Sequence, residues 1–265
     1  PSDDPVTAVR LPRLAREDAA LTQYRDNIGA LRSRLQLNES YLDGMSQDML
    51  AAPDLLVGAS DGGNTPEDVN AMSGSLLSLR DSLLYSANSR DQEGRYLFSG
   101  TLSTTPAVSY DATAAAGARY TYTGNNGEQQ VVVGNGITQA ANVTLPEIVT
   151  LLNRLDESAA ALAVPGVNVN DPAVHALLQA THDDLDLVLE SVSGRIAALG
   201  GAQNTLVTLD TNHSNVSVSN QQAALTLGQL NYEDAAVRLN GYTTALQATQ
   251  KAYGKVSSLS LFNVI

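Results

Sequence analysis

Cysteine and tryptophan are absent from this sequence, and phenylalanine occurs only twice. Without cysteine there is no disulfide framework, no thiolate nucleophile and no cysteine-ligated metal. The absence fits a cytosolic protein and equally one exported without passing an oxidising compartment. Clustered Lys and Arg are missing too, and the formal charge of −13 argues against a nucleic-acid partner. No run of eighteen apolar residues exists, so no helix is expected to span a membrane. The opening PSDDP shows neither an initiator Met nor a signal-peptide core, as in a fragment without its natural beginning. Aromatics make up 5% of a chain that is 43% hydrophobic. Its core must therefore be built from Leu, Val and Ala, which suits long helices meeting along thin seams better than an enzyme with a deep pocket.

What is present is heptad periodicity, most visibly in the last forty residues. Leu225 leads into Tyr232, Ala235, Leu239, Tyr242, Leu246, Thr249, Tyr253 and Val256, and from Tyr232 onward the steps alternate three and four. That is the seam of a helix packed lengthwise against another. The bare apolar run Leu259, Leu261, Phe262, Val264, Ile265 follows. A single helix cannot satisfy such a stripe, because an isolated amphipathic helix is marginal in water.

Residues 6–57 hold a second seam: Leu14, Leu21, Tyr24, Ile28, Leu31, Leu35, Leu42, Met45, Met49 and Leu56, completed by Glu17, Asn38 and Ala52. One helix of about 50 residues would be ~75 Å long. Pro12 falls near its start and Pro53 near its end. Thr65, Pro66 and Asp68 read as cap, first helical position and capping partner of a second helix that runs to about residue 98 with Val69, Met72, Leu76, Leu79 and Leu83 on its stripe. Residues 107–110, 118–123 and 128–133 read as strands, with Gly124, Asn125, Asn126 and Gly127 supplying a hairpin turn and Tyr120 and Tyr122 sharing one face. Thr144, Pro146 and Glu147 form another capping signature for a short helix through Leu151, Leu155 and Leu162. Asp171 and Pro172 open a last long helix with Val174, Leu178, Leu185, Val188, Val192, Leu199, Leu206 and Leu209 on its seam. The polar stretch 211–222 predicts a register change, and 228–231 a joint with Asn231 as cap.

The fold class expected is α+β, mainly α: an elongated bundle of long helices, an inserted small antiparallel β domain and a C-terminal heptad helix. The organisation is 1–99 long helices, 100–143 β insertion, 144–227 returning helices and 228–265 a helix of a separate layer. By the parity of the long helices the two termini lie at the same end.

Four segments, PSDDP at 1–5, RDQEGRYLFSG at 90–100, YTGNNGEQQVVVGNG at 122–136 and TALQATQKAYGKVSSLSLFNVI at 244–265, together resemble the bacterial flagellar hook-associated protein 3 family, the hook-filament junction protein. The terminal SLFNVI is closer to that family's ending than to that of the related flagellin. The resemblance implies terminal helices pairing into an inner tube, long helices as the next layer and a β insertion facing outward. It implies that a helical segment before the PSDDP-like motif is absent here. It also implies export through the flagellar secretion system to an extracellular place in the flagellum. The partners implied are copies of the chain, a neighbouring hook-associated protein and flagellin, and an export chaperone on the C-terminal helix. No catalysis and no cofactor are implied.

Other chemistry is thin. His175 and His182 lie seven apart near Asp183, Asp184 and Asp186, but one His pair at two-turn spacing is the pattern of a solvated helix face rather than a metal site. His213 reads as a surface or packing residue, and no nucleophile elbow accompanies the Ser, His and Asp present. The glycines at 124–127 and 134–136 flank strands without a Lys, so they are turns and not phosphate cradles. The site expected is an assembly interface: Leu225, Tyr232, Ala235, Leu239, Tyr242, Leu246, Tyr253, Val256, Leu259, Leu261 and Phe262. A flagellin filament subunit, or a non-flagellar secreted coiled-coil binding module, is the alternative.

Overall fold

The computed structural model describes residues 5–229 and 232–258. Six helices, α1 (Pro5–Leu50), α2 (Ala52–Ser60), α3 (Pro66–Ala87), α4 (Ile148–Leu162), α5 (Pro172–Gly228) and α6 (Tyr232–Ser258), dominate them. Four short strands, β1 (Val108–Tyr110), β2 (Tyr120–Tyr122), β3 (Gln130–Gly134) and β4 (Ile137–Ala140), separate α3 from α4. The class is mainly helical α+β, as the periodicity predicts. Two compact units are formed: Ala20–Asn215 is one, and Pro1–Ala19 with Val216–Ile265 is the other.

The unit Ala20–Asn215 has a continuous core. On α1, Leu21, Ile28, Leu31, Leu35, Leu42, Met45 and Met49 are buried, and on α5 Leu178, Leu185, Val188, Val192, Leu199 and Leu206. Both sets recur at three-four spacing, so each helix turns one stripe inward. Polar flanks lock the pair, with Arg25 Nε 2.9 Å from Asp210 Oδ1 and Gln203 Nε2 donating to Glu39 Oε2 at 2.6 Å.

The first helix is shorter than its periodicity. It ends at Leu50, and the chain restarts at Ala52. Pro53 sits in the first turn of α2, where its missing N–H is harmless; inside one continuous helix it would break the bond to Met49 and clash with that carbonyl. The seam survives the break, since Met49, Ala52 and Leu56 are all buried. Pro12 lies within α1 without ending it.

α3 starts as expected, with Thr65 Oγ1 accepting from the Asp68 amide and Asp68 answering to the Thr65 amide. It stops at Ala87, well short of the predicted end near residue 98. Asn88 explains the stop: its amide brackets the Val108 backbone, accepting from N–H at 3.0 Å and donating to C=O at 2.9 Å. The next turn is built by Asp91, which accepts from the Glu93 and Arg95 amides and from Arg95 Nε, while Gly94 takes φ +78°. Burial works against the Asp91 charge, yet these bonds hold its carboxyl below the usual value.

The β region is two separate hairpins, β1 with β2 and β3 with β4. β4 is not among the strands expected from the sequence, and residues 124–127 connect β2 to β3, which do not pair, instead of closing a hairpin. The glycines of that stretch do not take positive φ; between β1 and β4 the glycines that do are Gly117 before β2 and Gly136 between β3 and β4. Gly124 is needed for closeness instead, because a Cβ there would come within 2.8 Å of the Ser99 backbone. Tyr120 is buried and Tyr122 half-buried while Thr121 faces solvent, the one-sided packing expected. Asn153 brackets Tyr120 as Asn88 brackets Val108, at 3.0 and 2.9 Å. His213 is a packing residue, its Nε2 2.8 Å from the Val133 carbonyl and its ring 5.6 Å from that of Tyr24.

α4 lacks the capping bond predicted from Thr144 and Glu147. Thr144 pairs with Ser99 in a β-bridge, and the Glu147 carboxylate reaches α5, meeting Arg195 and Ser191. Beneath it, Asp156 is the buried centre of a charge network, with Arg80 Nη1 at 2.6 Å, Arg119 Nη1 at 3.4 Å and the Gly117 amide at 3.3 Å. Arg80 also lies over the Tyr120 ring. Burial pushes the Tyr120 phenol up to about 12, with the Arg80 cation pulling the other way. The polar stretch 211–222 does not interrupt α5, which runs unbroken to Gly228. The Asn231 cap lies outside the described residues.

Candidate assembly interface

The unit containing both chain ends lacks what the other has. Among the described residues, every buried hydrophobic side chain belongs to Ala20–Asn215. In the other unit the first part of α1 runs beside the last part of α5. Asp18 accepts from the Ser217 hydroxyl and from Gln221 Nε2, the latter at 3.3 Å. Leu11, Pro12, Leu14, Ala15 and Ala224 line an apolar groove of 490 Å³ along this pair. A second hollow of 560 Å³ is lined by Gln221, Ala224, Leu225, Gly228 and Gln229.

α6 is rich in Ala, the strongest helix former, and its threonines return their hydroxyls to the carbonyl four residues back, as Thr243 does to Leu239 and Thr249 to Ala245. On it Leu239 is 65% exposed, Tyr242 73%, Leu246 60%, Tyr253 76% and Val256 68%; Leu225 on α5 is 63% exposed. Ala235 is half-buried. The predicted seam is thus a row of large apolar side chains in solvent, the reverse of the α1 seam with the same spacing. Leu259, Leu261, Phe262 and the Tyr232 side chain lie outside the described residues.

Two further apolar residues are exposed, one in line with the row and one away from it. Val218, 63% exposed, stands one heptad before Leu225, a spacing that could have revealed it. Val237, 70% exposed, falls off the seam on another face of α6, where no periodicity points to it.

Nothing in the described residues gathers reactive groups. His175 and His182 border a hollow with Leu56, Val57, Ser60 and Asp61, and His182 Nδ1 is 3.5 Å from Asp186. Among the described residues no three His, Cys, Asp or Glu are placed to hold a metal ion. No described helix is long and apolar enough to cross a membrane.

Known proteins resemble this chain in sequence and in fold. Residues 1–103 match the family described as the bacterial flagellin N-terminal helical region. Flagellar hook-associated protein 3 of Escherichia coli is 28% identical over all of this chain and 87% of its own length. A Vibrio parahaemolyticus structure described as a flagellar hook-associated protein is 30% identical with a TM-score of 0.75, covering 84% of this chain and 98% of that one. Xanthomonas campestris FlgL shares the fold at 16% identity, TM-score 0.69, over 80% of this chain and 99% of its own. With similarity along its whole length, long helices flanking two small hairpins and a solvent-facing seam near its C-terminus, the chain belongs to the flagellar hook-associated protein 3 family.

Proposed function

We propose that this chain is a structural axial protein of the bacterial flagellum that joins hook to filament and polymerises through its terminal helices. The interface assigned to that role is Leu225, Tyr232, Ala235, Leu239, Tyr242, Leu246, Tyr253, Val256, Leu259, Leu261 and Phe262. One observation carries the reading: α6 presents a heptad row 60–76% exposed, in a unit where no described hydrophobic residue is buried. Each such side chain gains ~1.5–3 kcal/mol only when another surface covers it. Burial between copies supplies that cover.

The partners in this reading are further copies, a neighbouring hook-associated protein and flagellin. An export chaperone would cover the same α6 row before assembly, and the chain would pass through the flagellar secretion system to an extracellular position. No catalytic step belongs to it. The match of residues 1–103 is shared ground with flagellin, but similarity to hook-associated protein 3 runs the full length and favours the junction role.

The test is Leu239→Asp with Leu246→Asp, introduced into cells whose own copy of the protein is replaced. Both side chains are exposed, so thermal unfolding of the purified variant should match the parent. Cells should carry hooks without filaments and fail to swim, because carboxylates now occupy the seam. Filaments of normal number would refute the interface.

A further inference from the structure

The two units divide the charge unequally. Residues 20–215 hold nine arginines against twenty-two carboxylates, whereas residues 1–19 and 216–265 together hold six basic and six acidic side chains. The whole net charge of −13 therefore resides in the unit with its own core, and the unit bearing the exposed seam is neutral. Within the charged unit the acidity is concentrated again. Between Arg34 and Arg80 the chain has seven carboxylates and no Lys or Arg, and the same is true between Arg154 and Arg195. Most of these groups, including Asp43, Asp183, Asp186 and Glu190, are exposed.

We propose that self-association through the α6 seam is controlled by ionic strength: neutral seams attract, and the acidic units they carry repel until salt screens them. The proposal rests on the reading of α6 as an interface between copies of this chain. A second copy is the occupant because the positions flanking the seam, Ala236, Thr243, Ala245, Gln250 and Ala252, are uncharged, with Arg238 the exception. Two such seams meet without burying rows of like charge. Bringing them together also brings together two bodies of charge −13, and that repulsion opposes assembly. The screening length is ~30 Å at 0.01 M salt and ~8 Å at 0.15 M, so the repulsion reaches several times further in dilute salt. An interface held by ion pairs would weaken over that range; this one strengthens. The consequence for the cell is a chain that stays apart in dilute medium and assembles where salt or neighbouring cations offset its acidic unit.

The experiment is sedimentation velocity on the full chain between ~0.01 and ~0.3 M NaCl, a range in which screening changes most. The parent should associate about tenfold more tightly at the upper end. A variant carrying Asp43→Asn, Asp183→Asn, Asp186→Asn and Glu190→Gln should associate at the lower end already and respond less to salt. Leu239→Asp with Leu246→Asp should be monomeric throughout. Association that is indifferent to salt, or weakened by it, overturns the proposal while leaving the seam in place. Association that survives the two seam substitutions overturns the seam reading itself, and absence of association at every salt concentration overturns both.

Discussion

Replacing Asp156 by Asn tests the account of how the β hairpins are fastened to the helices. The Asp156 side chain is 1% exposed, and its oxygens receive Arg80 on α3, Arg119 beside β2 and the Gly117 amide. Asn keeps the shape and one acceptor but removes the charge. It leaves the Arg80 guanidinium, 15% exposed, with Asp81 as its remaining carboxylate at 2.7 Å, and Asp81 is 63% exposed and screened by water. Removing one partner of a buried pair costs ~3–5 kcal/mol. The Asp81 contact recovers up to ~1 kcal/mol of that, the usual worth of an exposed pair, so the net loss is about 3 kcal/mol. For a body of this size that lowers Tm by roughly 6–12 °C. Scanning calorimetry with urea unfolding followed by circular dichroism reads the change. Two controls set its meaning. Asp81→Asn alone should move stability by less than ~1 kcal/mol. Asp156→Leu combined with Arg80→Met should regain most of the loss, since apolar groups of similar volume replace a buried pair at little cost. A loss below about 1 kcal/mol for Asp156→Asn, or a double variant no better than the single, would refute the reasoning.

Two further perturbations separate core from surface and neutral from charged. Leu31→Asp places a carboxylate at a position 3% exposed, and cooperative urea unfolding of the Ala20–Asn215 unit should be lost or weakened by at least ~4 kcal/mol, against under ~0.5 kcal/mol for Leu239→Asp. For Tyr120, a folded-state pKa of about 12 against an ordinary value of 10.0 means the neutral phenol is favoured by folding. That contribution is complete below pH 10 and is lost as pH rises toward 12. Thermal unfolding from pH 9 to 12 should therefore fall more steeply for the parent than for Tyr120→Phe, and equal slopes would show that burial does not govern this group.

The helical frame was legible because heptad spacing reports directly which residues share a face. The α1 and α5 seams came out as buried almost residue for residue, and Thr65 with Asp68 marked a helix start through two local bonds. The errors fell where a distant partner outweighed a local signal. Thr144 and Glu147 have the right residues for a cap, but Ser99 and Arg195 engage them first. Asn88 ends α3 because Val108, twenty residues on, offers both a donor and an acceptor. The glycines at 124–127 look like a hairpin turn, yet they answer to the Ser99 and Thr101 surface pressed against them. In each case the sequence shows what a residue can bond to, and the tertiary arrangement decides which offer is taken.

The candidate site is the harder case, because periodicity cannot distinguish a seam that is covered from one that is not. Leu42 and Leu246 occupy equivalent seam positions, and one is 0% and the other 60% exposed. What separates them is the supply of partners within the chain. The α1 seam finds α5, whose own stripe is long enough to cover it, while the corresponding supply for α6 is missing among the described residues: no hydrophobic side chain of its unit is buried. Composition carries part of that difference in advance. Seam positions of α1 are mostly Leu, Ile and Met, which pack densely in an interior, with Tyr24 the single aromatic, whereas the shorter α6 seam holds Tyr232, Tyr242 and Tyr253, whose hydroxyls keep them tolerable in water until an interface forms. A heptad helix with tyrosine in its seam and little charge on its flanks tolerates exposure and gains from cover, the two properties that the proposed assembly between copies would use.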